Sequence, residues 1–281
     1  MQRGVHAELA KLLCIPFCAW PHFRAISLRY SVPRETLFSI YSQDCQQRVK
    51  ASSYRVQQSI ATYCCRYQSG ADILDLAAEL DVAPCSLLRQ LLLRLPWGLQ
   101  RERITKVLRD PTCLANLVRP EAGEQAQLAA GLDRMQHDVV RCVEADQVCS
   151  PASDLIRHTM GVEYEVVLCR KLREVDIAFW SEDDLRDKGF HKTPDVKLQV
   201  PVAVRGRIIN WIDSKATFGD ERTHRHLIEN QFDKYVNRYG PGAVIYWFGH
   251  VVDLDSDDVL VLAGFPLPAD ITTLPRLPLP A

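Results

Sequence analysis

Apolar positions change their period near residue 150. Before it they recur at helical spacing: Leu128, Leu132, Met135, Val139 and Cys142 form one stripe in a long segment running from Gly123 to Val148. Shorter helices are predicted over 72–80, 85–95 and 101–108, the last stopped by Asp110-Pro111. After Ser150-Pro151, helical stripes over 154–173 and 222–238 enclose a different pattern. Val196, Leu198, Val200, Val202 and Val204 alternate with other residues, Arg205-Gly206 supplies a turn, and Arg207 to Ile212 returns as a second apolar strand. Runs at 243–248 and 259–262 add two more strands. The pattern predicts a helical region over 1–150, an α/β domain over 151–265 with a sheet of at least four strands flanked by helices, and an irregular proline-rich tail over 266–281.

The hairpin carries the candidate chemistry. With the turn centred between 205 and 206, facing residues have numbers summing to about 411, so Asp195 falls opposite residue 216, next to Asp213 and Lys215. Alternation puts Asp213 and Lys215 on one face and turns Ser214 away. Carboxylates converging at a sheet end suit a hard divalent cation such as Mg²⁺, with Mn²⁺ as the alternative, and a lysine beside them can hold an attacking water or offset charge building on phosphorus. An exposed charged hairpin edge would read the same way. The pattern Pro194-Asp195, spacer, Asp213-Ser214-Lys215 resembles the PD-(D/E)XK nuclease superfamily.

Two more features fall where that superfamily has its other elements. Gly161, Glu165, Leu168 and Leu172 share a stripe of the helix over 154–173, which puts an acid at or beside a buried face, and Gly161-x-x-x-Glu165 resembles the acid-bearing first helix of resolvase-like members. Glu163 lies round the helix from it and is the weaker ligand candidate. Gln231 and Tyr235, one helical turn apart on one face, resemble the Gln-x-x-x-Tyr element of RecB-like nucleases. The resemblance implies Glu165, Asp195 and Asp213 as metal ligands and Lys215, Gln231 and Tyr235 as catalytic residues.

Composition adds bounds. The chain has 281 residues, 47% hydrophobic and 25% charged, as globular proteins do. No signal peptide or membrane span is readable, so the ten cysteines are expected as free thiols of a reducing compartment. Cys14-x-x-x-Cys18 with His22 admits a zinc reading, but no second pair follows at finger spacing, and buried thiols are the simpler account. Residues 1–110 hold 15 Lys and Arg against 9 Asp and Glu, leaving 19 against 26 for the rest, a modest basic bias compatible with nucleic-acid contact or with a solvated surface. Within that half, small Ala77, the corner Asp81-Val82-Ala83-Pro84 and inward Leu87 and Leu91 have the layout of a helix-turn-helix. A shift of fifty residues lays Tyr30-Ser31-Val32 on Leu80-Asp81-Val82 and Pro33 beside Pro84, so a second copy is expected over 24–48. Such units touch DNA, pack helices or dock proteins, and the second helix offers mostly leucines with Arg89, Gln90 and Arg94.

Taken together, Gly161 to Val166, Lys188-Gly189-Phe190-His191-Lys192-Thr193-Pro194-Asp195, Gln199 to Val204, Ser214-Lys215-Ala216 and Gly240 to Trp247 resemble the codanin-interacting nuclease family. The likeness covers about residues 24–250. It implies a restriction-endonuclease-like mixed sheet flanked by helices, preceded by an all-α region with two helix-turn-helix units. It also implies Mg²⁺-dependent hydrolysis of DNA, structured or branched, codanin as partner, and a location in nucleus and cytoplasm. A non-catalytic adaptor that holds codanin on a nuclease fold is the other reading. The chain departs from the family in its first 20 or so residues, in its proline-rich end, and at Asp213, where Glu is expected and the ligand is shorter by a methylene.

Overall fold

The computed structural model describes residues 1–17, 22–95, 99–117 and 125–273, with side chains omitted over 125–130. Among these residues the helices are α1 (Arg3–Leu13), α2 (Phe23–Tyr30), α3 (Arg34–Gln68), α4 (Ile73–Leu80), α5 (Pro84–Arg94), α6 (Arg101–Arg109), α7 (Leu114–Leu117), α8 (Gln125–Ala145), α9 (Pro151–Glu174), α10 (Glu182–Asp187), α11 (Glu221–Leu227) and α12 (Asp233–Tyr239). The strands are β1 (Phe179–Ser181), β2 (Val196–Val204), β3 (Arg207–Lys215), β4 (Gly242–Tyr246), β5 (Val259–Leu262) and β6 (Ile271–Thr273). The chain groups into two compact units, one of 1–9, 27–39 and 158–281, the other of 10–26 and 40–157.

The second unit is helical. Asp72 starts α4 by accepting from the N–H groups of Leu74 and Asp75, and Pro84 opens α5 where its missing N–H costs nothing. Leu76, Ala77, Val82, Leu87, Leu88, Leu91 and Leu92 bury in one cluster with Met135, Val139 and Cys142 of α8. Asp146 closes the end of α8, accepting from the N–H groups of Cys85, Val148 and Cys149. Asp81 of this unit and Ser31 of the first both take left-handed backbone, with φ of 48° and 52°. In both corners the following valine N–H returns to a carbonyl five residues back, Val32 to Ser27 and Val82 to Ala77. That common geometry ends α2 and α4 in the same way.

The first unit is built on a mixed sheet in the order β1-β2-β3-β4-β5, with β6 also on β2. β1, β3 and β6 run antiparallel to β2, whereas β4 runs parallel to β3 and β5 parallel to β4. Parallel strands covered on both faces need continuous apolar runs, and Gly242 to Tyr246 and Val259 to Leu262 are buried throughout. Within this unit Leu168 and Leu172 of α9 pack on Val196, Leu198, Ile212, Ala243 and Ile245.

Three details differ from the expectations. The hairpin keeps the 411 register only near its turn, at Val204–Arg207, Ala203–Ile208 and Val202–Ile209. An irregularity between Lys197 and Val202 then shifts the pairing to Lys197–Trp211 and Val196–Ile212. Pro201 lies inside it and has no N–H to give the ladder, a common setting for a bulge. Asp195 therefore comes level with Asp213 instead of residue 216. Second, the segment expected as an irregular tail is ordered in part: β6 pairs with the turn end of β2, and residues from 274 onward lie outside the described ones. Third, β1 and α10 were not anticipated. The nine cysteines among the described residues are all free thiols, and Cys18 of the zinc reading lies outside them. Among the described residues no helix is long and apolar enough to cross a membrane.

Close packing at Gly242 ties the sheet together. A Cβ there would lie 2.1 Å from Trp211 Cε2, and Trp211 cannot slide aside because it is fully buried and its Nε1 donates to Gly240 O. We expect Gly242→Ala to destabilise the protein by about 1–3 kcal/mol or more. Urea unfolding beside Gly264→Ala, where a Cβ meets nothing within 4 Å, checks this.

Candidate active site

Asp195 sits immediately before β2, and Asp213 and Lys215 end β3, at the carboxyl edge of a strand with a parallel neighbour, where open α/β sheets place their ligands. The Asp195 carboxylate accepts from the Ser214 N–H at 2.7 Å. Asp213 is wholly buried; its Oδ2 accepts from Gln231 Nε2 at 3.3 Å, and its Oδ1 forms an ion pair with Lys215 Nζ. Among the described residues Lys215 is the partner of Oδ1, which takes no second donor. Ser214 turns away, as alternation predicts, and accepts from Trp247 Nε1 at 2.8 Å.

Glu165 reaches the site from α9. Tyr164 beside it packs on Trp247, with ring centroids 5.0 Å apart, and Leu168 and Leu172 anchor the same helix. Glu165 itself is partly buried, and Glu163 is exposed. Gln231 lies in a single π-helical turn, Ile228–Phe232, between α11 and α12; such turns insert one residue and re-aim side chains. Gln231 Nε2 also donates to Tyr235 Oη at 2.7 Å, and that hydroxyl donates to Thr193 O at 2.7 Å. The helix thus grips the loop that presents Asp195.

Sequence reasoning missed Glu182. Its N–H donates to Asp195 O at 3.0 Å, and its carboxylate accepts from Thr193 Oγ1 at 3.1 Å and from Arg186 at 2.8 Å. The available signal was Ser181-x-x-Asp184, a capping box that starts α10 and fixes Glu182 in its first turn.

Electrostatics show a crowded acidic site. Burial raises the pKa of Asp195 well above its ordinary value, and Asp213 adds to the shift. Burial also raises Asp213, opposed by Lys215. Glu165 is raised by burial and then by Glu182. Burial alone would lower Lys215, but the fields of Asp213 and Asp195 win and raise it, so the ammonium is held charged. Neighbouring buried carboxylates offer the hard oxygen ligands that a divalent cation takes. Among the described residues, however, no three His, Cys, Asp or Glu side chains stand close enough together to hold one ion, and Lys215 supplies the positive charge.

A family profile described as "Protein of unknown function TPD sequence-motif" matches residues 132–265, and Thr193-Pro194-Asp195 spells that motif within them. Proteins named "CDAN1-interacting nuclease 1" from Mus musculus and Homo sapiens are each 38% identical, over 98% of this chain and 98% of their own. The protein of that name from Danio rerio is 36% identical, over 86% of this chain and 81% of its own. The chain belongs to the codanin-interacting nuclease family. No solved structure matches it. Within the family sequence, the Asp195 loop, the end of β3 and the π turn are what this fold brings to one place.

Because the folded-state pKa of Asp195 is raised, protonation favours the fold and the ionised carboxylate costs stability at neutral pH. Asp195→Asn, an isostere of the protonated form, should therefore raise the melting temperature of EDTA-treated protein at pH 7–8. The gain should shrink as pH falls toward the ordinary aspartate value of about 3.9. Thermal melts across pH check the sign.

Proposed function

We propose that this protein is a metal-dependent nuclease of the PD-(D/E)XK type that hydrolyses phosphodiester bonds in DNA and acts together with codanin. The observation that carries the reading is the meeting of Asp195, Asp213 and Lys215 at the end of β3, with Asp213 wholly buried and paired to Lys215. Glu165, Asp195 and Asp213 would hold Mg²⁺ or Mn²⁺, which when bound supplies Lewis-acid polarisation of the scissile phosphate. Lys215, charged and adjacent, orients the attacking water and offsets negative charge on the phosphoryl oxygens. Gln231 aligns the Asp213 carboxylate, and Tyr235 positions Asp195 through Thr193. The paired left-handed corners at Ser31 and Asp81 support two helix-turn-helix units, which would serve as DNA contacts, and the family resemblance supports a location in nucleus and cytoplasm.

A second reading, an adaptor that uses a nuclease fold to hold codanin, draws on a specific observation: among the described residues the acidic side chains do not converge within reach of a single ion. The names of the relatives carry both ideas, an interaction and a nuclease.

The deciding experiment assays Mg²⁺- and Mn²⁺-dependent cleavage on single-stranded, flap and junction DNAs, with codanin binding measured in parallel. Asp213→Asn and Lys215→Ala should each lower the cleavage rate by roughly 10²–10³ while codanin binding stays unchanged. Wild-type protein that binds codanin but cuts no substrate with either metal would establish the adaptor.

A further inference from the structure

Beside the carboxylates, and sharing Glu182, Gln231 and Tyr235 with them, lies a half-open cavity of about 550 Å³. Its volume is in the range of small-ligand sites and matches a nucleotide-sized guest. Its outer wall is the loop before Thr193, which takes left-handed backbone at Gly189 (φ 81°) and at Lys192 (φ 55°). Left-handed backbone at a lysine is uncommon, and such residues concentrate at binding sites. The loop presents Phe190, a residue 40% exposed, with the Tyr239 ring beside it at a centroid distance of 6.4 Å. Arg186, Lys192 and Lys234 line the cavity against one lining carboxylate, Glu182, which Arg186 already pairs, while Lys234 Nζ donates to the Asn230 carbonyl at the exposed surface. A partly exposed aromatic face, with lysines beside it and a phosphodiester-cleaving site adjoining, is the combination that binds single-stranded nucleic acid.

We infer that this cavity receives one unpaired nucleotide of the substrate strand, its base on Phe190 and its phosphate on Lys192 and Lys234. The inference rests on the nuclease reading of the adjoining carboxylates and narrows it: the strand to be cut enters single-stranded at the nucleotide next to the scissile phosphate. A base within duplex DNA has both faces covered by its neighbours and cannot offer one to Phe190.

The test uses full-length protein, Ca²⁺ in place of Mg²⁺, and fluorescence anisotropy with labelled oligothymidylate and a blunt duplex of equal length. Oligothymidylate should bind more tightly than the duplex. Phe190→Ala should weaken oligothymidylate binding by about tenfold or more, as loss of one stacked base does. The double variant Lys192→Ala/Lys234→Ala should flatten the dependence of log affinity on log salt by about 1.4, two single-strand phosphate contacts. Phe190→Leu keeps the apolar packing without the stacking face, so weakening by Leu at unchanged melting temperature separates recognition from folding. Equal affinity for the duplex, or wild-type binding by both the Phe190 and the lysine variants, overturns the inference. Mg²⁺-dependent cleavage at wild-type rates by those variants overturns it while sparing the nuclease reading. Single-strand binding that these variants lose, in a protein that cuts nothing, keeps the cavity and removes the nuclease.

Discussion

A carboxylate with no exposed surface is the constraint around which this α/β unit is arranged. Desolvating an ionised group costs several kcal/mol unless charge and hydrogen bonds replace the lost water. Asp213 meets that cost with Lys215 on one oxygen and Gln231 on the other. Each partner needs its own support. Lys215 comes two residues along the same strand, so alternation alone places it. Gln231 comes from a helix that must widen into a π turn, and Tyr235 then locks that helix to Thr193.

The surroundings of the site are held just as firmly. The loop after Lys215 is fixed by the Phe218 N–H donating to Ser39 Oγ at 2.8 Å, and a Cβ at Gly219 would stand 2.6 Å from the Tyr246 ring, so the backbone there passes flat over that aromatic. Tyr246 Oη is in turn hydrogen-bonded to His224 Nδ1 at 2.9 Å. These contacts make the end of β3 a rigid platform on which small changes in carboxylate position are resisted, the condition for electrostatic preorganisation.

Rigidity is combined with buried acidic groups. Asp195, Asp213 and Glu165 all have raised pKa values, and Glu182 adds to the field on two of them. A fold selected for stability alone would not bury these acids, whereas functional sites keep groups perturbed in this way. The cavity beside them is lined by Arg186, Lys192 and Lys234 as well as Glu182, so cationic groups border the acidic site.

Much of this was legible in the linear chain because its signals are local. Period-two alternation and Arg205-Gly206 define the hairpin, the period of the leucines defines α4 and α5, and Asp-x-Lys on one strand puts Asp213 beside Lys215 whatever the rest of the fold does. Gln231 and Tyr235 share a face by helical spacing. What tertiary structure decided is register and reach. The irregularity around Pro201 moved Asp195 from residue 216 to Asp213, a shift that depends on how β2 divides its free edge between β1 and β6. Both of those strands are three residues long, too short to carry a periodic signal, and they exist only because β2 offers them unpaired backbone groups. Glu182 follows from the same cause: its place beside Asp195 is set by the pairing of β1 with β2, a contact between residues that are distant in the chain and that no local pattern announces.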